Sequence, residues 1–415
     1  MIGMAQKSHL HLDEEPDYNE YVVCKYRVTT DLPMEKAAEA LAAEQSTGTW
    51  TGISTLDDEI FDTLGARVVS IEGDEVVVEF PVEDFSVEVG SVPQILSVIA
   101  GNLFGLGSLK GVRLEDVSFP DSINSQFKGP KFGAQGIREL LGRPEKPLVG
   151  TIVKPKIGLD PERTAQYVYE AGSGGLTNSK DDETLVDQAF CPIDERTVAV
   201  AEALDLLKDE GHLMMHAINV STRGDRIVEL AEKVQGWGAT ELMVDVITCG
   251  FGAVQALAED PSIKVPIHVH RTMHGAFTKD PYHGIAMLPL TRLVRMCGGD
   301  ALHIGTLGVG KMAADAKDDG NLAACLGDDV PFKTVMPVCS GGAYPGIVAD
   351  IIARSGMDVQ IQAGGGVAGH PGGVKAGAMG MSQAVDAAFL GIPAEEYAKD
   401  HPELSEALAK WGKKK

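Results

Sequence analysis

Between residues 148 and 366 one pattern recurs eight times: a short apolar run that ends in polar residues or glycines, most runs then leading into a stretch with helical spacing. The runs are LVGTIVKP (148–155), the few residues before Lys180, HLMMHAIN (212–219), ELMVDVIT (241–248), VPIHVH (265–270), ALHIGT (301–306), KTVMPVCS (333–340) and DVQIQAGG (358–365). Between them lie helical stretches such as ERTVAVAEALDLLKDEG, DRIVELAEKVQGWG and YPGIVADIIARSG. Eight strand–helix units over about 260 residues have the size and rhythm of a (β/α)8 barrel. An open, doubly wound sheet is the alternative that the same alternation allows.

The barrel reading has a chemical consequence. A barrel brings all eight strand C-termini to one mouth, so residues far apart in sequence become neighbours there. Nearly every run ends in reactive groups: Lys154 and Lys156, Lys180 with Asp182 and Glu183, Asn219, His270 with Arg271, His303, Ser340, and the glycines from Gly364. This gathering points to an enzyme.

Taken singly, each motif leaves alternatives open. SKDDE (179–183) is either a solvated charge run or a Mg2+ site, because Asp and Glu supply the hard oxygen donors that ion prefers. A lysine cannot ligate Mg2+ unless it becomes an anion, and reaction of its neutral amine with CO2 to give a carbamate is one route. KPK (154–156) is either a surface feature or a pair of lysines at the mouth, where desolvation and neighbouring cations lower an ammonium pKa. HVHRTMH (268–274) puts His268 and His270 on one strand face, which allows zinc but lacks a third ligand at motif spacing. His270 as general base beside Arg271 as an anion fork fits better. GTLGVGK (305–311) is not a P-loop, since no Ser or Thr follows Lys311; it reads as a plain turn or a lid with a lysine at its tip. The glycines of QAGGGVAGHPGG (362–373) would let a phosphate approach the backbone.

Upstream, YVVCKYRV reads as a strand, PMEKAAEALAAEQS as a helix, ARVVSIEGDEVVVEFP as two strands about a turn, and PQILSVIAGNLFG as a second helix. This mixture predicts an N-terminal α+β domain, of ferredoxin-like type, over residues 1–135, with the barrel and its C-terminal helices over 136–415. The boundary falls in FKGPKFGAQG. With 36 Lys and Arg against 60 Asp and Glu, the net charge of −24 repels a phosphate backbone, so nucleic-acid binding is not expected. No apolar run is long enough for a membrane span. The N-terminus has no signal-peptide core, and the six dispersed cysteines suit reduced thiols, so a cytoplasmic protein is expected.

Together these motifs resemble the large subunit of ribulose-1,5-bisphosphate carboxylase/oxygenase (RuBisCO). The resemblance spans about residues 20 to 395. It rests on EQSTGTW (44–50), GNLFG (101–105), VKPKIG (153–158), SKDDE (179–183), HVHR (268–271), ALHIGTLGVGK (301–311), SGG (340–342) and QAGGG (362–366), all in the family's order. It implies a lyase that enolises ribulose 1,5-bisphosphate and adds CO2 or O2, the former giving two 3-phosphoglycerates. Lys180 then corresponds to the lysine carbamylated by an activator CO2, with Asp182 and Glu183 as its partner Mg2+ ligands. Lys154 handles protons at C2 and protonates the last carbanion, with Lys156 in support; His270 is a base in hydration and cleavage, and Lys311 is the lid lysine. Arg271, His303 and Ser340 correspond to one phosphate site and the adjoining hydroxyl. Thr49, Trp50, Gly342, Gly364 and Gly365 correspond to the other phosphate site, and Gly341 is a further substrate-binding residue. Glu44 and Asn102 match residues that a second subunit lends to the site, which implies a homodimer or a ring of dimers. The length resembles the archaeal form III branch, which works without small subunits, and by analogy suggests salvage of AMP-derived substrate. The alternative is a RuBisCO-like enolase or isomerase acting on a sugar phosphate without carboxylation. Four positions depart from the family pattern: Thr177 and Asn178 stand where an Asp and an aromatic residue are usual, Ala313 where an acid is usual, and Tyr344 where a histidine is common.

Overall fold

The structure, a computed structural model, describes residues 7–49, 51–143, 145–310 and 318–412. The chain divides into two compact units, one of Met1–Phe127, Met273–Leu293 and Asp329–Pro331, the other of Lys128–Thr272, Val294–Asp328 and Phe332–Lys415.

In the first unit, strands β1 (Tyr21–Thr29), β2 (Arg67–Glu72), β3 (Glu75–Pro81) and β4 (Gly111–Ser118) form a sheet of order β4-β1-β3-β2. β1 runs antiparallel to both of its neighbours. The two-residue strand Gly284–Ile285 (β10 in chain order) adds to β4 in parallel. Helix Met34–Gln45 joins β1 to β2, and helix Ser91–Ala100 lies between β3 and β4, so the expected ferredoxin-like order is present. Strand periodicity explains the core: Val22, Cys24 and Tyr26 on β1 face the same way as their partners Phe80, Val78 and Val76 on β3, and all six are fully buried. The helices contribute Ala37, Ala38, Leu41 and Ala42 from one and Val92, Ile95 and Ile99 from the other. The Tyr26 hydroxyl donates to the Ile99 carbonyl at 2.7 Å, so this buried polar group is satisfied.

The second unit is the expected barrel. Strands β5 (Leu148–Ile152), β6 (Asn178–Lys180), β7 (Met215–Asn219), β8 (Glu241–Asp245), β9 (Ile267–His270), β11 (Ala301–His303), β12 (Met336–Ser340) and β13 (Gln360–Gln362) close on themselves, and every neighbouring pair is parallel. Because side chains alternate and partners in register share a face, the interior falls into layers. At the N-terminal end Leu148, Met215, Ala301, Met336 and Val338 pack against Ala134, Ile137 and Leu141, so helix Gly133–Leu140 plugs the barrel with apolar surface. Toward the other end the interior becomes polar.

No helix among the described residues is long and apolar enough to cross a membrane.

Candidate active site at the barrel mouth

The C-terminal ends of the strands bring most of the sequence-predicted residues together. Lys180 is the last residue of β6 and is buried. Its Nζ donates to the Asp181 carbonyl at 2.9 Å and lies 3.4 Å from the Met243 sulfur on β8. Burial pushes its pKa below the ordinary lysine value, against the pull of Glu183, Asp182 and Asp245. The site therefore shifts this amine toward its neutral, nucleophilic form.

The two carboxylates that follow are held by the two lysines that follow β5. Lys154 Nζ donates to Asp182 Oδ2 at 2.8 Å, and Lys156 Nζ donates to Glu183 Oε1 at 2.9 Å while standing 3.7 Å from Asp182 Oδ1. Burial would raise the Glu183 pKa, but the Lys156 hydrogen bond and the nearby His270 and Lys180 hold it down at about 2. KPK and SKDDE thus form one alternating cluster of charges. A Cβ at Gly364, after β13, would stand 3.0 Å from Lys154 Cε, so glycine there makes room for that side chain.

Asp181 is different: it turns away from the mouth into a fully buried net. Its Oδ2 accepts from Arg196 Nε at 3.2 Å and from the Asn219 backbone N–H at 3.0 Å; its Oδ1 lies 3.2 Å from His216 Nε2, whose other ring nitrogen is 2.6 Å from Ser179 Oγ. Burial alone would raise its pKa, yet Arg196 and His216 bring it down to about 2. This net anchors the strand end that carries Lys180, Asp182 and Glu183. Asn219, at the end of β7, also reaches the carbonyls of Asp182 and Glu183 at 3.4 Å each.

His270 ends β9 with Nδ1 3.1 Å from Asp245 Oδ1 and Nε2 4.0 Å from Glu183 Oε2. Burial and the Lys180 charge lower its pKa, partly offset by Asp245, so the ring is poised as a base. The Asp245 carboxylate selects the Nδ1–H tautomer and leaves Nε2 toward the mouth. His303 packs edge-on to His270 with centroids 4.7 Å apart, and its Nδ1 is 2.6 Å from Ser340 Oγ. His268 shares the inward face with His270, but its ring nitrogens go to His303 and Glu241. Arg271 follows immediately, half-buried.

The glycines flank this cluster. Gly341 and Gly342 adopt φ of +112° and +93°, which L side chains rarely do, so the backbone turns away directly after Ser340. At Gly365 a Cβ would meet nothing within 4 Å, whereas at Gly366 it would run into the Ala343 carbonyl. Gly365 therefore borders open space. The loop after β11 is described as far as Gly310, whose N–H donates to Thr306 Oγ1 at 2.8 Å. Lys311 and Ala313 lie outside the described residues, as does Trp50.

Glu44, Thr49 and Asn102 belong to the first unit. Glu44 sits in the last turn of helix Met34–Gln45, and Asn102 opens the turn Asn102–Gly105. The neighbouring Gln45 joins these two elements: its amide donates to the Val98 carbonyl and its oxygen accepts from the Leu103 N–H at 3.1 Å.

Sequence reasoning missed the Asp181–Arg196–His216 net, Asp245, Glu241 and Gln45. Asn219 did carry a signal, as a polar residue closing an apolar run, and so did Asp245, as a charged residue inside the run ELMVDVIT. Arg196 and His216 carried none, because their partner is distant in sequence.

A closed parallel barrel with buried lysine, carboxylates, a base histidine and open glycine turns at the strand C-termini is an enzyme site of the (β/α)8 class. The comparisons with known proteins narrow this class. The family model for the "ribulose bisphosphate carboxylase large chain, catalytic domain" matches residues 133–411, and that for its N-terminal domain matches residues 9–123. The ribulose bisphosphate carboxylase of Methanosarcina mazei is 39% identical over 95% of this chain and 96% of its own. The octameric RuBisCO of Pyrococcus horikoshii superposes with a TM-score of 0.91 at 36% identity, covering 99% of both chains. The dimeric archaeal RuBisCO of Hyperthermus butylicus gives 0.88 at 36% identity, over 97% of this chain and 98% of that one. The chain belongs to the ribulose bisphosphate carboxylase large-chain family and is a carbon–carbon lyase.

Proposed function

We propose that this enzyme carboxylates ribulose 1,5-bisphosphate to two molecules of 3-phosphoglycerate, with O2 as a competing reactant. The observation that carries the reading is Lys180: an amine buried at the mouth, biased toward neutrality, beside the Asp182 and Glu183 carboxyl groups. Such an amine is the form that reacts with CO2 to give a carbamate. The donor set fits Mg2+, since carbamylated Lys180, Asp182 and Glu183 would offer only anionic oxygens. When bound, that ion supplies Lewis-acid polarisation of substrate oxygens.

The remaining roles belong to the chain. Lys180, once carbamylated, removes the C3 proton. Lys154 moves protons at C2 and returns one to the final carbanion, while Lys156 keeps the cluster charge-balanced. His270, oriented by Asp245, serves as base in hydration and C–C cleavage, and Lys311 closes over the new carboxylate. Arg271, His303 and Ser340 hold one phosphate and the adjoining hydroxyl. Gly342, Gly364 and Gly365, with Thr49 and Trp50, receive the other phosphate, and Gly341 is a further substrate-binding residue. Glu44 and Asn102, from an N-terminal domain taken as residues 1–135, complete the site of a second subunit. The working unit is then a homodimer, alone or in a ring of dimers without small subunits. By analogy with the archaeal form III branch, its setting is salvage of AMP-derived ribulose bisphosphate in the cytoplasm.

The test is Lys180→Ala. It is expected to abolish both turnover and the gain in activity on preincubation with CO2 and Mg2+; substantial residual carboxylation would contradict the reading.

A further inference from the structure

Behind the mouth, the barrel interior holds two polar groups that the proposed chemistry does not use, Glu241 and His268, in line with His303 and Ser340 at the substrate site. Glu241 on β8 is fully buried, and its Oε1 lies 3.3 Å from His268 Nδ1. His268 Nε2 lies 2.7 Å from His303 Nε2, and His303 Nδ1 lies 2.6 Å from Ser340 Oγ at the mouth. The four side chains form an unbroken hydrogen-bonded chain across β8, β9, β11 and β12. At its inner end Glu241 Oε2 has no hydrogen-bond partner among the described residues. The same interior holds further buried polar atoms on Asn178, Gln360 and Gln362 that find no partner among the described residues. An isolated carboxylate in such a place would be strongly disfavoured.

We propose that Glu241, His268, His303 and Ser340 form a proton relay in which Glu241, at the inner end, stores one proton for the site. The chain has two settings. With Glu241 ionised, His268 Nδ1–H donates to Glu241, His303 Nε2–H donates to His268, and Ser340 O–H donates to His303, so the Ser340 oxygen faces the mouth as an acceptor. When Ser340 accepts a proton from the mouth, its own hydroxyl proton passes to His303 Nδ1. The His303 Nε2 proton then passes to His268 Nε2, and the His268 Nδ1 proton to Glu241 Oε1. Every bond is kept with its direction reversed, both rings end neutral, and Ser340 now presents a donor. Return of the proton restores the first setting.

The surroundings suit this traffic. Asp300 faces the chain at its Glu241 end, and His270, Lys180 and Arg271 face it at His303. Burial, with those neighbouring groups, keeps His303 well below the usual histidine pKa, so the ring passes protons without holding charge. Glu241 and His268 are positioning residues, since they act on substrate only through His303 and Ser340. The inference rests on the carboxylase reading for its use, a cycle in which protons are removed at one stage and returned at another.

The test compares wild type with Glu241→Gln and Glu241→Asp in steady-state carboxylation and in pH-difference infrared spectra of substrate-free enzyme. Glu241→Gln keeps a hydrogen-bonding group but cannot store a proton. We expect its kcat to fall by about tenfold to a hundredfold with KM for ribulose 1,5-bisphosphate nearly unchanged. Glu241→Asp should recover part of the loss. A protonated-carboxyl band should be present in wild type, displaced in Glu241→Asp and absent in Glu241→Gln. A Glu241→Gln enzyme with kcat within about twofold of wild type overturns the relay, as does a wild-type spectrum whose carboxyl bands do not change on substitution. Should Glu241→Gln not fold, the displaced band and kcat of Glu241→Asp decide. If wild type itself fixes no CO2, the carboxylase reading fails, and the infrared comparison alone judges the relay.

Discussion

Asp245 acts on its neighbour's ring more than on its own surroundings. By accepting from His270 Nδ1 it fixes which nitrogen of that base faces Glu183. Asp245→Asn preserves the shape but offers either an amide N–H or a neutral oxygen. We expect kcat to fall about a hundredfold while the thermal midpoint stays nearly constant, as steady-state kinetics and calorimetry would show. The Asp181 net has the opposite character, serving stability first. Arg196→Met leaves a buried carboxylate without its main partner and should cost about 3–5 kcal/mol, read as a lowered urea midpoint. The sign with pH follows from the depressed Asp181 pKa, about 2 in the folded protein against an unfolded value of about 4. Its contribution is present above pH about 4 and is lost as pH falls toward 2, so wild type and Arg196→Met should converge in stability at the acid end.

At the scale of elements, Gly364 shows how a strand end serves a side chain from its neighbour. An added Cβ there meets Lys154 Cε, the flexible end of that lysine, so Gly364→Ala should fold normally yet displace Lys154. We expect turnover to drop several-fold with the circular dichroism spectrum unchanged; full activity would show that Lys154 moves freely between positions. Seven of the eight barrel strands were legible as short apolar runs with polar residues at or near their ends, whereas β6, Asn178–Lys180, holds no apolar residue and is placed only by its position between its neighbours. The strand Gly284–Ile285 was not legible, since two residues carry no periodicity. The plug helix Gly133–Leu140 lay hidden in a glycine-rich stretch read as a boundary. Motif order gave the mouth residues from Lys154 to Gly365. What it could not give was pairing through space: Asp181 with Arg196 and His216, His270 with Asp245, and Gln45 with Val98 and Leu103 are set by register and helix docking. Asn178, a departure from the family pattern, stands in the polar interior with Glu241 and Gln360; its Oδ1 accepts from Thr177 Oγ1 at 2.8 Å, while its Nδ2 and the Gln360 amide find no partner among the described residues. Only the folded barrel puts these three inside together.

For the whole molecule, the central question is whether two chains build one site. The solved structures of two archaeal relatives are of a dimeric RuBisCO in one case and an octameric one in the other. If Asn102 completes a partner's site, mixing inactive Lys180→Ala and Asn102→Ala chains should restore activity, because a mixed dimer keeps one intact site; failure to complement in mixed dimers verified by mass spectrometry would place Asn102 and Lys180 in the same chain's site. The most direct measurement is incorporation of labelled CO2 into 3-phosphoglycerate from ribulose 1,5-bisphosphate, made anaerobically after preincubation with bicarbonate and Mg2+. The account predicts labelled product that depends on the preincubation. Folded, dimeric protein that yields none, while exchanging substrate protons with solvent, would contradict it and mark the enzyme as an enolase.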